Sequence, residues 1–169
     1  PVEGGITRMM AIYQDYSGLE RIGSVRSCRL YFPKIANEFE AIYVHFGQSK
    51  YALDFLKSDK IDNVGSYQSV ANSIFFRTTD RVAPHNCFID GAGIKKGIKE
   101  LGYRKKYKKD YSSHFQFADE GTKVDLASEK IANKVELGYQ INKPWFEYDA
   151  ATGLYKRFQY GKAHIDDQN

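Results

Sequence analysis

The sequence predicts an α+β (α/β) fold, in which a mixed β-sheet flanked by helices is followed by a β-rich second part. Two observations predict it. Short apolar runs alternate with segments of helical spacing in the N-terminal part, whereas only strand-like runs follow later in the chain. The composition, 42% hydrophobic and 15% aromatic, is that of a globular protein. We therefore predict an N-terminal α/β domain at 1–117, and at 118–169 a linker with the start of a β-rich, incomplete C-terminal domain.

The first predicted elements are a strand, a helix and a strand–turn–helix unit. Ile6–Tyr13 (ITRMMAIY) is apolar and flanked by glycines and Asp15, which favours a largely buried strand. Ser27–Phe39 has near-helical spacing with Ser27 as a plausible N-cap, although Pro33 must kink or shorten that helix. Ala41–Phe46 (AIYVHF) is a buried strand ended by Gly47, and Ser49 then caps a helix that runs to Leu56.

Later elements follow the same criteria. Ile61–Ser69 is turn-rich, and Asp90 is a suitable N-cap for a helix from about Gly93 to Leu101, with Gly102 as its stop. The segment from Lys105 to about Ser128 is predicted to be a linker or long surface loop. The last predicted strands, two of which flank a hairpin turn at Asp149–Gly153, are Val135–Ile141, Trp145–Tyr148 and Leu154–Gln159.

Charge and cysteine content exclude several classes of protein. The net charge is +4, and the dense basic run Arg104–Lys109 is predicted to be a solvated loop, so no nucleic-acid partner is expected. No stretch reaches the ~20 apolar residues that span a bilayer. Cys28 and Cys87 have no metal-ligand spacing and are predicted to be buried free thiols, although an oxidising compartment would allow them to pair. No cofactor is predicted.

Arg26 and Arg29, in SVRSCR, form the first candidate anion site. Three residues apart at the start of a predicted helix, they share a face, and the helix end adds unpaired N–H groups. A phosphate, sulfate or carboxylate would satisfy both the helix end and the guanidiniums. The alternative is a surface pair bridged to Glu20, Glu38 or Glu40.

A second candidate cluster is FFRTTDRVAPHN. It contains Arg77, Arg81, His85 and Asn86, and Pro84 restricts Ala83 and so fixes the direction of the residues that follow. Together these side chains offer hydrogen bonds to an anion from several sides.

Two polar residues stand inside predicted strands. Arg8 interrupts ITRMMAIY and His45 interrupts AIYVHF. A charge in a buried strand must be paired or face a cavity, and strand ends are where α/β sheets commonly bind ligands.

The C-terminal group contains Arg157, His164 and Asp166. The H-x-D spacing supplies at most two metal ligands, so no metal centre is predicted. The glycine-rich GAGIKKG follows no convincing strand and lacks the Lys-Ser/Thr of a phosphate-binding loop.

Five segments occur in an order that resembles the YerB-like lipoproteins of Gram-positive bacteria. They are VEGGITRMMAIY, IGSVRSCRLYF, AIYVHFGQSKYALDFLKS with the following IDN, FFR-x-x-x-RVAPHN, and WFEYDAATGLYKRFQYGKAHIDDQN. The resemblance covers nearly the whole chain. It implies an extracytoplasmic protein of two domains, held to the cell membrane by an N-terminal lipid.

The resemblance also bears on the ends of the chain and on the site. The lipobox and leading segment of the family are absent from this chain, so the lipid anchor is expected outside it, and family members continue beyond the position of Asn169. The polar positions that the family shares map onto Arg8, Arg26, Arg29, Arg77, Arg81, His85, Asn86, Arg157, His164 and Asp166.

The leading hypothesis is an envelope-associated protein that binds an anionic cell-envelope ligand, such as a phosphate-bearing wall polymer or a lipid-linked precursor, in an Arg/His-lined pocket. A second is a phosphoryl-transfer or hydrolytic enzyme acting on lipid-linked wall precursors, with His85 or His45 as the general base. A third is a non-catalytic scaffold for wall-synthesis proteins, in which the arginines bridge carboxylates within the fold.

Overall fold

The protein is represented by a computed structural model that describes residues 2–3, 6–113, 115–122, 124 and 131–165. The chain divides into two compact units, one of residues 11–117 and one that combines residues 1–10 with 118–169. This mixture of helices and sheets confirms the predicted α+β class. In chain order the elements are β1 (Val2–Glu3), β2 (Ile6–Thr7), β3 (Ile22–Gly23), α1 (Tyr31–Glu38), β4 (Tyr43–His45), α2 (Lys50–Leu56), β5 (Asn63–Gly65), a 3₁₀ turn (Ala71–Ser73), β6 (Phe75–Arg77), β7 (Cys87–Ile89), α3 (Gly91–Glu100), β8 (Lys134–Glu136), β9 (Trp145–Asp149), β10 (Leu154–Gln159) and β11 (Lys162–Ala163).

In the 11–117 unit, β4, α2 and β5 form a βαβ arrangement. β4 and β5 are parallel, with His45 opposite Gly65, and α2 connects them after an N-cap at Ser49. The predicted strand–turn–helix at this point is confirmed. β5 lies inside the stretch predicted to be turn-rich. The sequence does not reveal this strand because a strand this short leaves little periodicity.

A second sheet in this unit has the order β3–β7–β6, and its strands are antiparallel. Phe75 pairs with Ile89, and Arg77 pairs with Cys87. Since paired residues share a face and faces alternate along a strand, these four side chains lie on one face of the sheet, and the pair Phe76–Phe88 lies on the other. Arg77 thus extends from the end of β6 on the same face as core residue Ile89.

The helix α3 follows β7 and packs on the core of the unit. The Asp90 side chain caps it by accepting a hydrogen bond from the Gly93 N–H at 2.6 Å, and Gly102, with φ +72°, follows its end. The predicted N-cap and stop are both confirmed. The buried residues of this core are Val64, Val70, Ile74, Ile89, Ile94 and Ile98.

The helix α1 is shorter than predicted and begins elsewhere. It starts at Tyr31 after an N-cap at Leu30, so the prediction of a helix capped by Ser27 is wrong. Pro33 lies in the first turn, where backbone N–H groups have no intrahelical acceptor, and the helix therefore needs no kink.

The other unit contains a β-sheet in the order β11–β10–β9–β8, with antiparallel neighbours, and the separate pair β1–β2. The hairpin between β9 and β10 is confirmed: the N–H groups of Thr152 and Gly153 donate to the Asp149 carbonyl, and Gly153 has φ +71°. Trp145 on β9 stacks on Phe158 on β10, with ring centroids 4.9 Å apart.

No helix of the described ranges has the length and apolar character that crossing a bilayer requires.

Candidate functional site

The loop between β6 and β7 holds the second predicted cluster in a defined geometry. Arg77 donates from Nη1 to Asn86 Oδ1 at 2.7 Å, and Asn86 donates from Nδ2 to the Thr78 carbonyl at 3.0 Å. The Thr78 N–H in turn donates to the Asn86 carbonyl at 3.0 Å. Asn86 therefore joins the two ends of the loop through Thr78, and its side chain also holds the Arg77 guanidinium.

Arg26 reaches the same loop from a different segment. Its Nη1 donates to the Pro84 carbonyl at 2.7 Å, and its own carbonyl accepts from the Phe46 N–H at 3.1 Å. Pro84 stands two positions before Asn86, so Arg26 and Arg77 hold neighbouring points of one short loop.

Phe46 completes this arrangement. The guanidinium carbon of Arg77 lies 5.3 Å from the centre of the Phe46 ring, within the range of a cation–π interaction. Phe75 packs edge-on against the same ring, with centroids 5.2 Å apart. In the described part of the chain, Arg77 thus contacts an amide and an aromatic ring and makes no ion pair with a carboxylate.

Arg81 and His85 are exposed on the same loop, where the His85 N–H donates to the Val82 carbonyl at 2.9 Å. The structure thus brings together a set of predicted polar side chains at one edge of the 11–117 unit. We call this set the arginine edge, and it consists of Arg26, Arg77, Arg81, His85 and Asn86.

Arg29 differs from Arg26 in its surroundings, and the helix-end site predicted for the pair is wrong. Both precede α1, in a segment that pairs with residues 46–49, and only the carbonyl of Arg29, which accepts from the Phe32 N–H at 2.9 Å, takes part in the turn that begins the helix. Arg29 donates from Nη1 to the Cys28 carbonyl at 3.2 Å. Burial raises the pKa of Cys28 to about 11, and the nearby Arg29 charge opposes that rise.

Arg8, Arg157 and His164 belong to the other unit. Arg8 does not interrupt a buried strand, because β2 ends at Thr7 and Met9 is 73% exposed. Arg157, on β10, contacts His164 Nδ1 through Nη1 and donates from Nη2 to Gln159 at 3.3 Å. Asp166 lies outside the described residues.

His45, the last residue of β4, is fully buried. Its Nδ1 lies 2.8 Å from the Gly47 carbonyl, its Nε2 lies 3.2 Å from Asn63 Oδ1, and its ring stacks on Tyr43. Burial lowers the pKa of His45 against the effect of both hydrogen bonds. A general base must reach its substrate, and this enclosed ring contacts protein groups alone in the described chain.

Asn63 links His45 to a larger polar network that the sequence analysis missed. Its Nδ2 donates to the Leu56 carbonyl at 2.7 Å, and its Oδ1 accepts from Tyr67 at 2.9 Å. Gln68 donates to the Asn63 carbonyl and to the Tyr103 hydroxyl. Nothing along the sequence marks these residues as partners.

The glycine-rich GAGIKKG forms the start of α3. It does follow a buried strand, β7, contrary to expectation. Two of its first three N–H groups have protein acceptors, since Gly91 donates to the Leu19 carbonyl at 2.7 Å and Gly93 donates to Asp90 at 2.6 Å. These two groups are therefore satisfied without a phosphate.

The described ranges hold no group of three or more His, Cys, Asp or Glu side chains arranged to bind a metal ion.

Fold and site together define an α+β protein of two units with an arginine-lined surface edge. Residues 1–104 match the family described as "Protein of unknown function (DUF3048) N-terminal domain", and the chain belongs to that family. The predicted YerB-like relationship is thereby confirmed.

Two comparisons support the assignment. The chain is 34% identical over 143 residues to the Bacillus subtilis (strain 168) protein named "Putative lipoprotein YerB". The aligned region covers 81% of this chain and 43% of that protein. It also matches the crystal structure of the YerB protein from Bacillus subtilis with a TM-score of 0.74 and 29% identity, over 98% of this chain and 53% of the other. The chain thus spans about half the length of these relatives.

Proposed function

We propose that this protein is an extracytoplasmic lipoprotein, anchored to the cell membrane by a lipid, that binds an anionic cell-envelope ligand through the arginine edge. The lipoprotein part of the proposal is supported by the name of the 34% identical relative. The ligand-binding part rests on the geometry of Arg77.

The observation that supports anion binding best is the guanidinium of Arg77, which is oriented without a counter-charge. Asn86 and Phe46 hold it in the described structure, and neither is an anion. Holding an arginine in one rotamer costs conformational entropy, so a ligand that binds a pre-oriented guanidinium loses less affinity to ordering. The planar fork of arginine also matches the two oxygens of a phosphate or carboxylate.

Neighbouring groups extend this site. Arg26 is held at the Pro84 carbonyl, and exposed Arg81 and His85 lie on the same loop. A phosphate at Arg77 can therefore accept further hydrogen bonds from the loop side. This arrangement favours an anion with several acceptor oxygens.

The test is a titration with pyrophosphate. Its readout is the change in the backbone amide shifts of the non-proline residues of 77–86 in an NMR spectrum. We expect Arg77→Gln to weaken binding tenfold or more, since a hydrogen bond to a charged group contributes about 1.5–3 kcal/mol. Lys99→Gln, which removes one charge from the exposed face of α3, is the matched control and should retain affinity.

Equal affinities of Arg77→Gln and Lys99→Gln would contradict the proposal, since binding would then depend on net charge alone. A loss of thermal stability in Arg77→Gln without any change in affinity would instead favour the scaffold role, in which the arginines serve the fold. The same titration mixtures, followed by ³¹P NMR, would reveal any pyrophosphate cleavage.

A further inference from the structure

Beside the arginine edge lies a shallow depression with an unusual lining. Its volume is about 180 Å³, and it lies entirely within the 11–117 unit. Pockets that enclose a whole small-molecule ligand typically measure ~300–1,000 Å³, so this one fits only a short segment of a ligand. Its lining residues are Phe46, Ala71, Asn72, Phe75, Phe76, Arg77 and Cys87.

Five of the seven lining residues have apolar side chains. Phe46 and Phe75 are half-buried rings in edge-to-face contact, and Ala71 and Cys87 are buried at its base. Burial raises the pKa of the Cys87 thiol, so Cys87 is uncharged at neutral pH and acts as a small apolar group. Apolar side chains thus lie beside the polar groups of Arg77 and Asn72 in one small surface.

The charge of the lining is positive only. Arg77 is its cation, and its lining includes no carboxylate, while Asn72 adds a neutral amide at the surface. The same Phe46 ring that forms a wall of the depression also supports the Arg77 guanidinium. An anionic group at Arg77 and an apolar group on Phe46 would therefore lie next to each other.

We infer that the ligand is an amphiphilic anion, whose phosphate or carboxylate head binds at Arg77 and whose hydrocarbon chain lies on Phe46 and Phe75. This inference rests on the proposed anion binding and specifies the class of ligand. The small volume limits the contact to the first few carbon atoms after the head group. The rest of such a molecule extends into solvent or into a lipid phase.

The test uses methyl, butyl and hexyl phosphate as probes, each below its micelle concentration, with the intact chain. Each methylene placed on a half-open apolar wall should raise affinity roughly twofold, since full burial is worth about fourfold. We therefore expect butyl phosphate to bind roughly fourfold to eightfold more tightly than methyl phosphate, and hexyl phosphate to gain little beyond butyl phosphate. Nuclear Overhauser contacts should join the alkyl protons to the rings of Phe46 and Phe75.

Variants separate the two parts of the site. Phe75→Ala should reduce the preference for the longer chain, whereas Tyr51→Ala, which removes an exposed ring on α2, should leave it unchanged. If Phe75→Ala does not fold, the ring contacts in the unmodified protein still decide the question.

The outcomes also distinguish this inference from the function on which it rests. Equal binding of methyl and hexyl phosphate, lost in both cases in Arg77→Gln, would overturn the amphiphile and leave anion binding intact. If none of the phosphates binds, both proposals fail. If hexanol binds as tightly as hexyl phosphate, the depression takes apolar groups without regard to charge, and the inference is overturned.

Discussion

At the scale of single residues, the cysteines behave as apolar groups. Cys28 is 0% and Cys87 is 1% exposed, and both are free thiols. Burial raises the pKa of Cys28 to about 11 and shifts that of Cys87 in the same direction. Because the thiolate is the reactive form, both side chains are protected twice, by enclosure and by protonation.

We therefore predict that neither cysteine reacts with a thiol reagent such as dithionitrobenzoate at pH 8 in the folded protein. Both should react rapidly once denaturant unfolds the chain. Ser112→Cys, at an exposed position of the same unit, provides a reactive control thiol. Rapid labelling of Cys28 or Cys87 under native conditions would show that this part of the fold opens readily.

At the scale of elements, the helix α3 shows a conflict between local preference and packing. Alanine is favoured over glycine inside a helix by about 1 kcal/mol. At Gly91, however, a Cβ would overlap the Tyr16 carbonyl oxygen, which is a backbone atom and cannot rotate away. The close approach of the chain at Tyr16 to the start of α3 therefore requires glycine.

Gly91→Ala should thus destabilise the protein by roughly 1–3 kcal/mol, the cost of overpacking a tight contact, despite the gain in helix propensity. Urea unfolding followed by far-UV circular dichroism measures the change. Gly18→Ala, where nothing lies within 4 Å of the added carbon, should stay within about 0.5 kcal/mol of the parent protein. A Gly91→Ala variant that is more stable than the parent would contradict the packing argument.

Elements whose ends depend on local chemistry were predictable. The cap at Asp90, the stop at Gly102 and the hairpin turn at Asp149–Gly153 each use hydrogen bonds or φ values set within a few residues. The helix predicted from Ser27 failed for the opposite reason. Cys28 donates its N–H to the Gly47 carbonyl at 2.8 Å and accepts from the Ser49 N–H at 3.0 Å, so a distant segment takes up the groups that a helix would need.

At the scale of the whole molecule, buried neutral groups determine how stability responds to pH. Burial lowers the pKa of His45 from its ordinary 6.5 and raises the pKa of Cys28, Cys87, Tyr43 and Tyr67 above their ordinary values. All of them favour the uncharged form in the folded 11–117 unit. Charging any of them therefore favours unfolding.

We expect stability to be greatest between about pH 6.5 and pH 9. Below pH 6.5 the unfolded chain takes up a proton at His45 that the folded form resists, so stability falls with pH. Above pH 9 the unfolded Cys28 thiol ionises while the folded thiol stays neutral up to about pH 11, which removes on the order of 2 kcal/mol.

Urea midpoints at pH 5, 7.5 and 10 test this profile. Cys28→Ala should make the alkaline fall in stability shallower, since one of the groups that titrate there is gone, and it should leave the acid side unchanged. A midpoint that rises steadily from pH 7.5 to pH 10 would contradict the role assigned to the buried thiols and phenols.

The sequence by itself determined the α+β class, the family, the strand–turn–helix unit at 41–56, the helix α3, the C-terminal hairpin, and the polar residues of the loop at Arg81–Asn86, because these follow from local periodicity, caps and segment order. Only the tertiary structure decided which of those polar residues meet. Arg26 and Arg77 are far apart in the chain and converge because Pro84, Asn86 and Phe46 hold them. It also enclosed His45 and left the rings of Phe46 and Phe75 beside Arg77, since burial and contact depend on how separate strands pack.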